Sequence, residues 1–304
     1  HEFVATDRLP PALAENYAPA APGEGLRAYL ARFAAWDATV GTPERLARIV
    51  AELVEDLHAD GVVHAEVRLR PPTDDDGLWH TMMESAIWTA RAATTPAVGF
   101  IAVMLRGWSE DRAVREARRA AVWAGRGAVA LDIAGDEAVG GFAELAPAVR
   151  LAREAGLGIA THAGETSGTP AMHEALTLLA PDRIAHGVAA AQDARLISEL
   201  RDRGLHLEMA IRSNVQTGAV KDVAVHPFAA LLRGGVSVGL NTDNRTISGT
   251  TLSDEYALAA DTLGLSWAEL ARATTLAAEA TFASADVRRR LAQAVRDEWA
   301  RSGE

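Results

Sequence analysis

The sequence predicts an α/β protein of the (β/α)8 TIM-barrel type. Three observations carry that expectation. Short apolar or β-branched runs recur with midpoints about 25 to 35 residues apart, Ala/Leu/Arg/Glu-rich stretches with helical spacing separate them, and glycines fall where helices should stop. Strands are expected at 62–68 (VVHAEVR), 98–105 (VGFIAVML), 128–133 (AVALDI), 158–161 (GIAT), 183–186 (RIAH), 205–209 (LHLEM) and 236–240 (VSVGL). Helices are expected at 25–35, 42–57, 111–123, 141–155 and 191–203, and throughout the tail after Thr250. Gly156, Gly204 and Gly235 occupy the positions where a left-handed residue ends a helix before the next strand.

That count is seven strands, one fewer than a closed barrel needs, and residues 1–60 offer helices but no buried strand. A first strand is therefore expected upstream of residue 1. The opening His1-Glu2-Phe3 lacks a methionine and reads as a tag scar or the edge of an incomplete sequence. With no long Pro/Gly/Ser linker and no short repeat, one domain over 1–304, with a helical N-terminal segment and a helical C-terminal tail, is the simplest organisation.

Composition narrows the function. Lys+Arg total 30 against 41 Asp+Glu, a formal charge of −11 that would repel a nucleic-acid backbone or an anionic bilayer. No apolar run is long enough to span a membrane, and the N-terminus lacks the basic-then-apolar order of a signal peptide, so the expected location is the cytoplasm. The absence of cysteine removes disulfides, thiol nucleophiles and Cys-ligated zinc. Any metal must sit on His, Asp or Glu. Lys221 is the only lysine, which argues against imine chemistry and a phosphate-cradling lysine.

In a parallel barrel the residues just past the strand C-termini converge on one mouth. Here they are Glu66 and Arg68, Asp132 and Gly135, His162 and Glu165, His186, Glu208 and Asn214, and Asp243 and Asn244. His162 with Glu165 three residues on supplies either a metal ligand plus an acid/base group or a capping turn. Asp243 ends a buried strand, where a lone carboxylate must find a cation, a metal or several donors. Together with His162 and His186 it favours a mononuclear metal site over a structural polar cluster. His58, His64, His80, His173, His206 and His226 are read as core, helix or loop residues without a ligand role, and the tryptophans as packing.

These residues lie in motifs. THAGE (161–165), RIAHG (183–187), SNVQTGAV (213–220), HPF (226–228) and NTDNRTISGTTLSDEY (241–256), with AEVRLRP (65–71) and LDIAGDE (131–137), resemble the adenosine deaminase family over about residues 25–300, in its order and spacing. The resemblance implies a (β/α)8 barrel of the metal-dependent hydrolase kind, holding one Zn²⁺ and replacing the purine 6-amino group by oxygen. It assigns His162 and Asp243 to the metal, with Asp243 also orienting the bound water. Glu165 would protonate purine N1, His186 would orient or deprotonate the zinc water, Gly135 would donate to N3 and Asn244 to N7. Zinc lowers the pKa of bound water to about 7, and Glu165 would need burial to stay protonated.

Three departures qualify the resemblance. No His-x-His pair, the family's other two zinc ligands, occurs in this chain. Asn244 replaces a second aspartate, as in actinobacterial members, and an asparagine amide donates at any pH. Met209-Ala-Ile-Arg212 replaces a usual Cys-Pro pair, so Arg212 could alter access or meet an acidic group on the ligand.

The leading expectation is zinc-dependent hydrolytic deamination of adenosine or a related 6-aminopurine nucleoside, with the metal-binding first strand outside this sequence. The joint retention of Glu165, His186 and Asp243 favours it. The alternative is a metal-free, catalytically inactive relative that keeps the purine pocket as a binding protein. A cytidine-deaminase-like site needs cysteines that are absent, and a carboxylate-pair hydrolase leaves His162 and His186 unexplained.

Overall fold

The structure is a computed structural model, and it describes residues 18–302. The opening tripeptide and the signal-peptide reading of the first residues lie outside that range. Seven parallel strands form one sheet in sequential order: β1 (His64–Leu69), β2 (Ala97–Leu105), β3 (Ala128–Ala134), β4 (Gly158–Ala163), β5 (Arg183–His186), β6 (His206–Met209) and β7 (Ser237–Leu240). Each expected strand is found, within three residues at either end.

Among the described residues no ladder joins β7 back to β1. The expected closed eight-stranded barrel is therefore corrected to a seven-stranded parallel sheet that curls without closing, because β1 and β7 each pair on one side only.

Helices follow the strands as the periodicity predicts, and their starts are chemically marked. Thr42 caps Pro43–Ala59 by accepting from Arg45 N, and Asp75 caps Asp76–Ala92 by accepting from Leu78 N at 2.7 Å. Ser266 forms a reciprocal capping box with Glu269 at the start of Trp267–Glu279. Gly204 is left-handed at φ 63, as a helix stop before β6 requires. The helix expected at 25–35 is split at Arg32 into Leu26–Ala31 and Phe33–Thr39. The tail is helical as expected, ending in Ala285–Ser302. No helix among the described residues is long and apolar enough to cross a membrane.

Strand alternation divides the sheet into two environments. One set of side chains, including Phe100, Ala102, Met104, Leu131, Ile133, Ile159, Ile184, Leu207 and Val238, enters the main apolar core with the helices. The alternate set carries charge into the interior of the curl. Arg68 Nε bonds Asp132 Oδ2 at 2.8 Å and its Nη2 bonds Glu208 Oε2 at 2.6 Å. Arg183 Nη1 reaches Glu66 Oε2 at 2.5 Å while its Nε lies 2.6 Å from Glu208 Oε1. Burial alone would raise the Glu208 pKa, but the two guanidiniums outweigh it and bring it down to about 2.

Arg183 opens β5, so its end of the network lies at the N-terminal side of the sheet, opposite the mouth. There the tail closes the interior: Phe282 N donates to Glu66 Oε1 at 2.6 Å, and the Phe282 ring sits under the Arg183 guanidinium at 3.7 Å. Gly158 at the start of β4 makes room for that ring, since a Cβ there would stand 2.1 Å from Phe282 Cδ1. Gly158→Ala should therefore lose about 1–3 kcal/mol of stability, the usual range for overpacking. Urea midpoints should show the loss in the single variant and recovery when Phe282→Leu is added. A single variant as stable as the parent would contradict this packing.

Candidate functional site

The candidate residues sit at the opposite end, at and beyond the C-terminal ends of β3 to β7. His162 is the penultimate residue of β4 and Glu165 lies in the loop after it. His186 ends β5, and Asp243 follows β7. Both have left-handed backbones, at φ 62 and φ 53, two of only three such non-glycine residues described. Strain of this kind costs on the order of 1 kcal/mol or more and persists where surrounding contacts over-determine it.

Four of the candidates meet or nearly meet. The His162 and His186 rings stand 5.1 Å apart, and His186 Nε2 lies 3.6 Å from Glu165 Oε2. Asp243 is close enough to raise the Glu165 pKa by charge repulsion, although burial is the larger cause of that rise. Glu165 Oε1 is buried without a hydrogen-bond partner. Ser213 Oγ donates to Asp243 Oδ2 at 2.7 Å.

Gly135 stands one residue past β3 at φ 103, a conformation that favours glycine. Asn244 caps Arg245–Ser248, its Oδ1 accepting from Ile247 N at 2.9 Å. No hydrogen bond among the described residues joins Gly135 or Asn244 to the histidine cluster. Arg212 is half-buried, its backbone N–H held by Glu255 at 3.3 Å and its Nε without a partner.

Glu66, Arg68, Asp132 and Glu208, grouped with the mouth residues on sequence grounds, belong instead to the interior ion network. That network reaches the site through His162, whose Nδ1 stands 3.0 Å from Asp132 Oδ2. Burial alone would lower the imidazole pKa, but the Asp132 carboxylate overrides it and the pKa is raised.

Two groups that the sequence analysis passed over hold the site together. Glu137 accepts from the backbone N–H groups of Glu165, Thr166 and Ser167, at 3.2, 2.6 and 2.7 Å, which fixes the loop that carries Glu165. Its place at the end of LDIAGDE was the available signal. His226, read as a residue without a ligand role, is 4% exposed and reaches into the cluster: its Nε2 is 3.1 Å from Asn214 Oδ1, and Asn214 Nδ2 is 2.8 Å from His186 Nδ1. Nothing in the local sequence signals that its ring is held in place.

The expected zinc does not fit these residues. Among the described residues no group of three or more His, Cys, Asp or Glu is placed to hold a metal ion. A catalytic zinc takes three protein ligands. The residues assigned to it, His162 and Asp243, are two, and among the described residues no third such side chain converges with them. The expectations of a bound Zn²⁺, of zinc-dependent deamination and of an active hydrolase are corrected accordingly. What the site retains is a cluster of buried hydrogen-bonding side chains, Glu165, His186, Asn214 and His226.

An adenosine deaminase from Mycobacteroides abscessus is 37% identical over 298 residues, covering 91% of this chain and 82% of its own. The crystal structure of an adenine deaminase from Arthrobacter aurescens superposes with a TM-score of 0.85 at 25% identity, over 95% of this chain and 88% of that one. An Arabidopsis protein, ADAL, crystallised with IMP, gives a TM-score of 0.82 at 25% identity over 91% and 85%. The sequence model of adenosine deaminase matches residues 5–298, a span that takes in every motif quoted above, and this chain therefore belongs to the adenosine deaminase family.

Proposed function

We propose that this chain is a metal-free, catalytically inactive member of the family that binds a purine nucleoside or nucleotide. The observation that carries the reading is a division within the site. Glu165, His186 and Asn214 are buried and adjoin one another, while among the described residues the metal position has only His162 and Asp243, too few for a catalytic zinc. A buried carboxyl oxygen without a partner, Glu165 Oε1, calls for a ligand group. The IMP complex of the Arabidopsis relative supports a purine as that ligand.

Gly135 and Asn244 are proposed as purine contacts at the ends of β3 and β7, and Glu165 and His186 as the groups that hold the ring edge. A single domain over 1–304 and a cytoplasmic location belong to the same proposal, the first supported by a strand–helix alternation from about 60 to 245 without a Pro/Gly/Ser linker and the second by the acidic composition.

Purified protein incubated with zinc and dialysed should retain no stoichiometric metal by elemental analysis. Adenosine should keep its ultraviolet spectrum in its presence, and calorimetry should show saturable purine nucleoside binding. One zinc per chain together with steady conversion of adenosine would overturn the proposal, as would the absence of any purine binding.

A further inference from the structure

We infer that His226, acting through Asn214, locks His186 in the tautomer that carries its proton on Nε2, and that the pocket therefore selects the lactam edge of a 6-oxopurine over the amidine edge of a 6-aminopurine. The ligand half of this inference rests on the purine-binding reading. The tautomer half stands on the geometry alone.

The direction of the relay is set by a backbone group. Phe228 N–H donates to His226 Nδ1 at 3.2 Å, and a backbone N–H can only donate. His226 Nδ1 must therefore present its lone pair, which leaves the proton of the neutral ring on Nε2. That Nε2–H donates to Asn214 Oδ1 at 3.1 Å, so the Asn214 amide nitrogen turns to the other side and donates to His186 Nδ1 at 2.8 Å. His186 Nδ1 is then an acceptor as well, and its proton sits on Nε2, the nitrogen that faces Glu165. Reversing the Asn214 amide would require a proton on His226 Nδ1, directly against Phe228 N–H. That clash would be costly in so buried a setting, since His226, Asn214 and His186 are 4%, 0% and 3% exposed.

The ligand thus meets one donor it cannot change, His186 Nε2–H, beside a carboxyl whose Oε1 has no partner. The edge of a 6-oxopurine presents a carbonyl oxygen and an adjacent ring N–H, which complement an N–H donor and a carboxylate. A 6-aminopurine presents an amino N–H and a ring lone pair, the reverse pattern. Glu165 can gain a proton to suit either edge, whereas His186 cannot exchange its donor for an acceptor without breaking the relay. The fixed donor therefore decides, and His226 is a positioning residue for it.

The test uses the full chain labelled with ¹⁵N-histidine, and two-bond ¹⁵N–¹H spectra of the ligand-free protein to read the His186 tautomer. The parent and His226→Gln, whose amide N–H can still donate to Asn214, should show the proton on Nε2 alone. His226→Ala should show a mixture, and Asn214→Asp, whose carboxylate accepts from His186, should move the proton to Nδ1. A parent with the proton on Nδ1, or an unchanged tautomer in His226→Ala, would overturn the lock. Calorimetry on the same proteins should find inosine binding at least about tenfold tighter than adenosine in the parent and in His226→Gln, the effect of one mispaired buried donor. The ratio should fall toward one in Asn214→Asp. Equal or tighter adenosine binding by the parent would overturn the selection, and binding of neither nucleoside would overturn the purine reading while the spectra still judge the lock.

Discussion

Arg183→Ala is expected to destabilise the protein by about 3–5 kcal/mol, the range for breaking a buried ion pair by removing one partner. Its side chain is 8% exposed, and those of its partners Glu66 and Glu208 are 6% and 7% exposed. Without the guanidinium the two carboxylates share the interior with Arg68 as the nearest compensating charge, and Arg68 already serves Asp132 and Glu208. The Phe282 ring loses its stacking partner as well. Urea unfolding of the parent, of Arg183→Ala and of Arg183→Met with Glu66→Gln measures this. The double variant should regain part of the loss, because it removes a charge together with its counter-charge. A loss below about 1 kcal/mol in the single variant would mean that the pair is solvated and contributes as little as a surface bridge.

The second large effect is on pH dependence. Burial depresses the His226 pKa to about 3, with repulsion from His186 adding to it, while an unfolded histidine titrates near 6.5. A histidine with a depressed folded pKa contributes stability above its unfolded pKa and loses it as pH falls toward the folded value. Between about pH 6.5 and pH 3 the parent should therefore lose about 1.4 kcal/mol per pH unit relative to His226→Gln, which has no proton to take up. Urea midpoints of both proteins at pH 7, 6 and 5 give the difference directly. A gap that stays constant over that range would show that His226 titrates as an ordinary solvated histidine. The comparison isolates one group from the opposing change at Glu255, whose pKa burial raises to about 7, so that its contribution is lost as pH rises.

The strands were legible because each needs only its own residues and its flanks. The run VGFIAVML states its β character without knowledge of β3, and Gly204 ends a helix whatever the helix packs against. The motifs that carry the family resemblance were equally local. Glu66 and Arg68 were grouped with the mouth because they occur in a strand that leads there, yet a strand offers side chains at every depth. Arg68 finds Glu208 across 140 residues of chain and Arg183 finds Glu66 across 117, separations that no spacing rule addresses.

The same limit explains His226 and the metal. A histidine before a proline has no periodic signature, and its tie to Asn214 depends on how the Val223–Val225 turn lies against Ile211–Gln216. The zinc expectation followed from residue types at strand ends. Whether they form a full ligand set depends on what the fold brings together, and among the described residues no group of three such side chains converges.

By itself the sequence determined the alternation of strand and helix, the family and the set of polar groups available at the mouth. Those properties follow from local periodicity and residue chemistry, which are written along the chain. The tertiary structure decided which of those groups are spent on one another, giving among the described residues a curled sheet open between β1 and β7, a histidine held by an interior carboxylate and another bonded to an asparagine. Register and burial decide such pairings, since a buried polar group must take whichever partner the packed neighbours bring within about 3 Å.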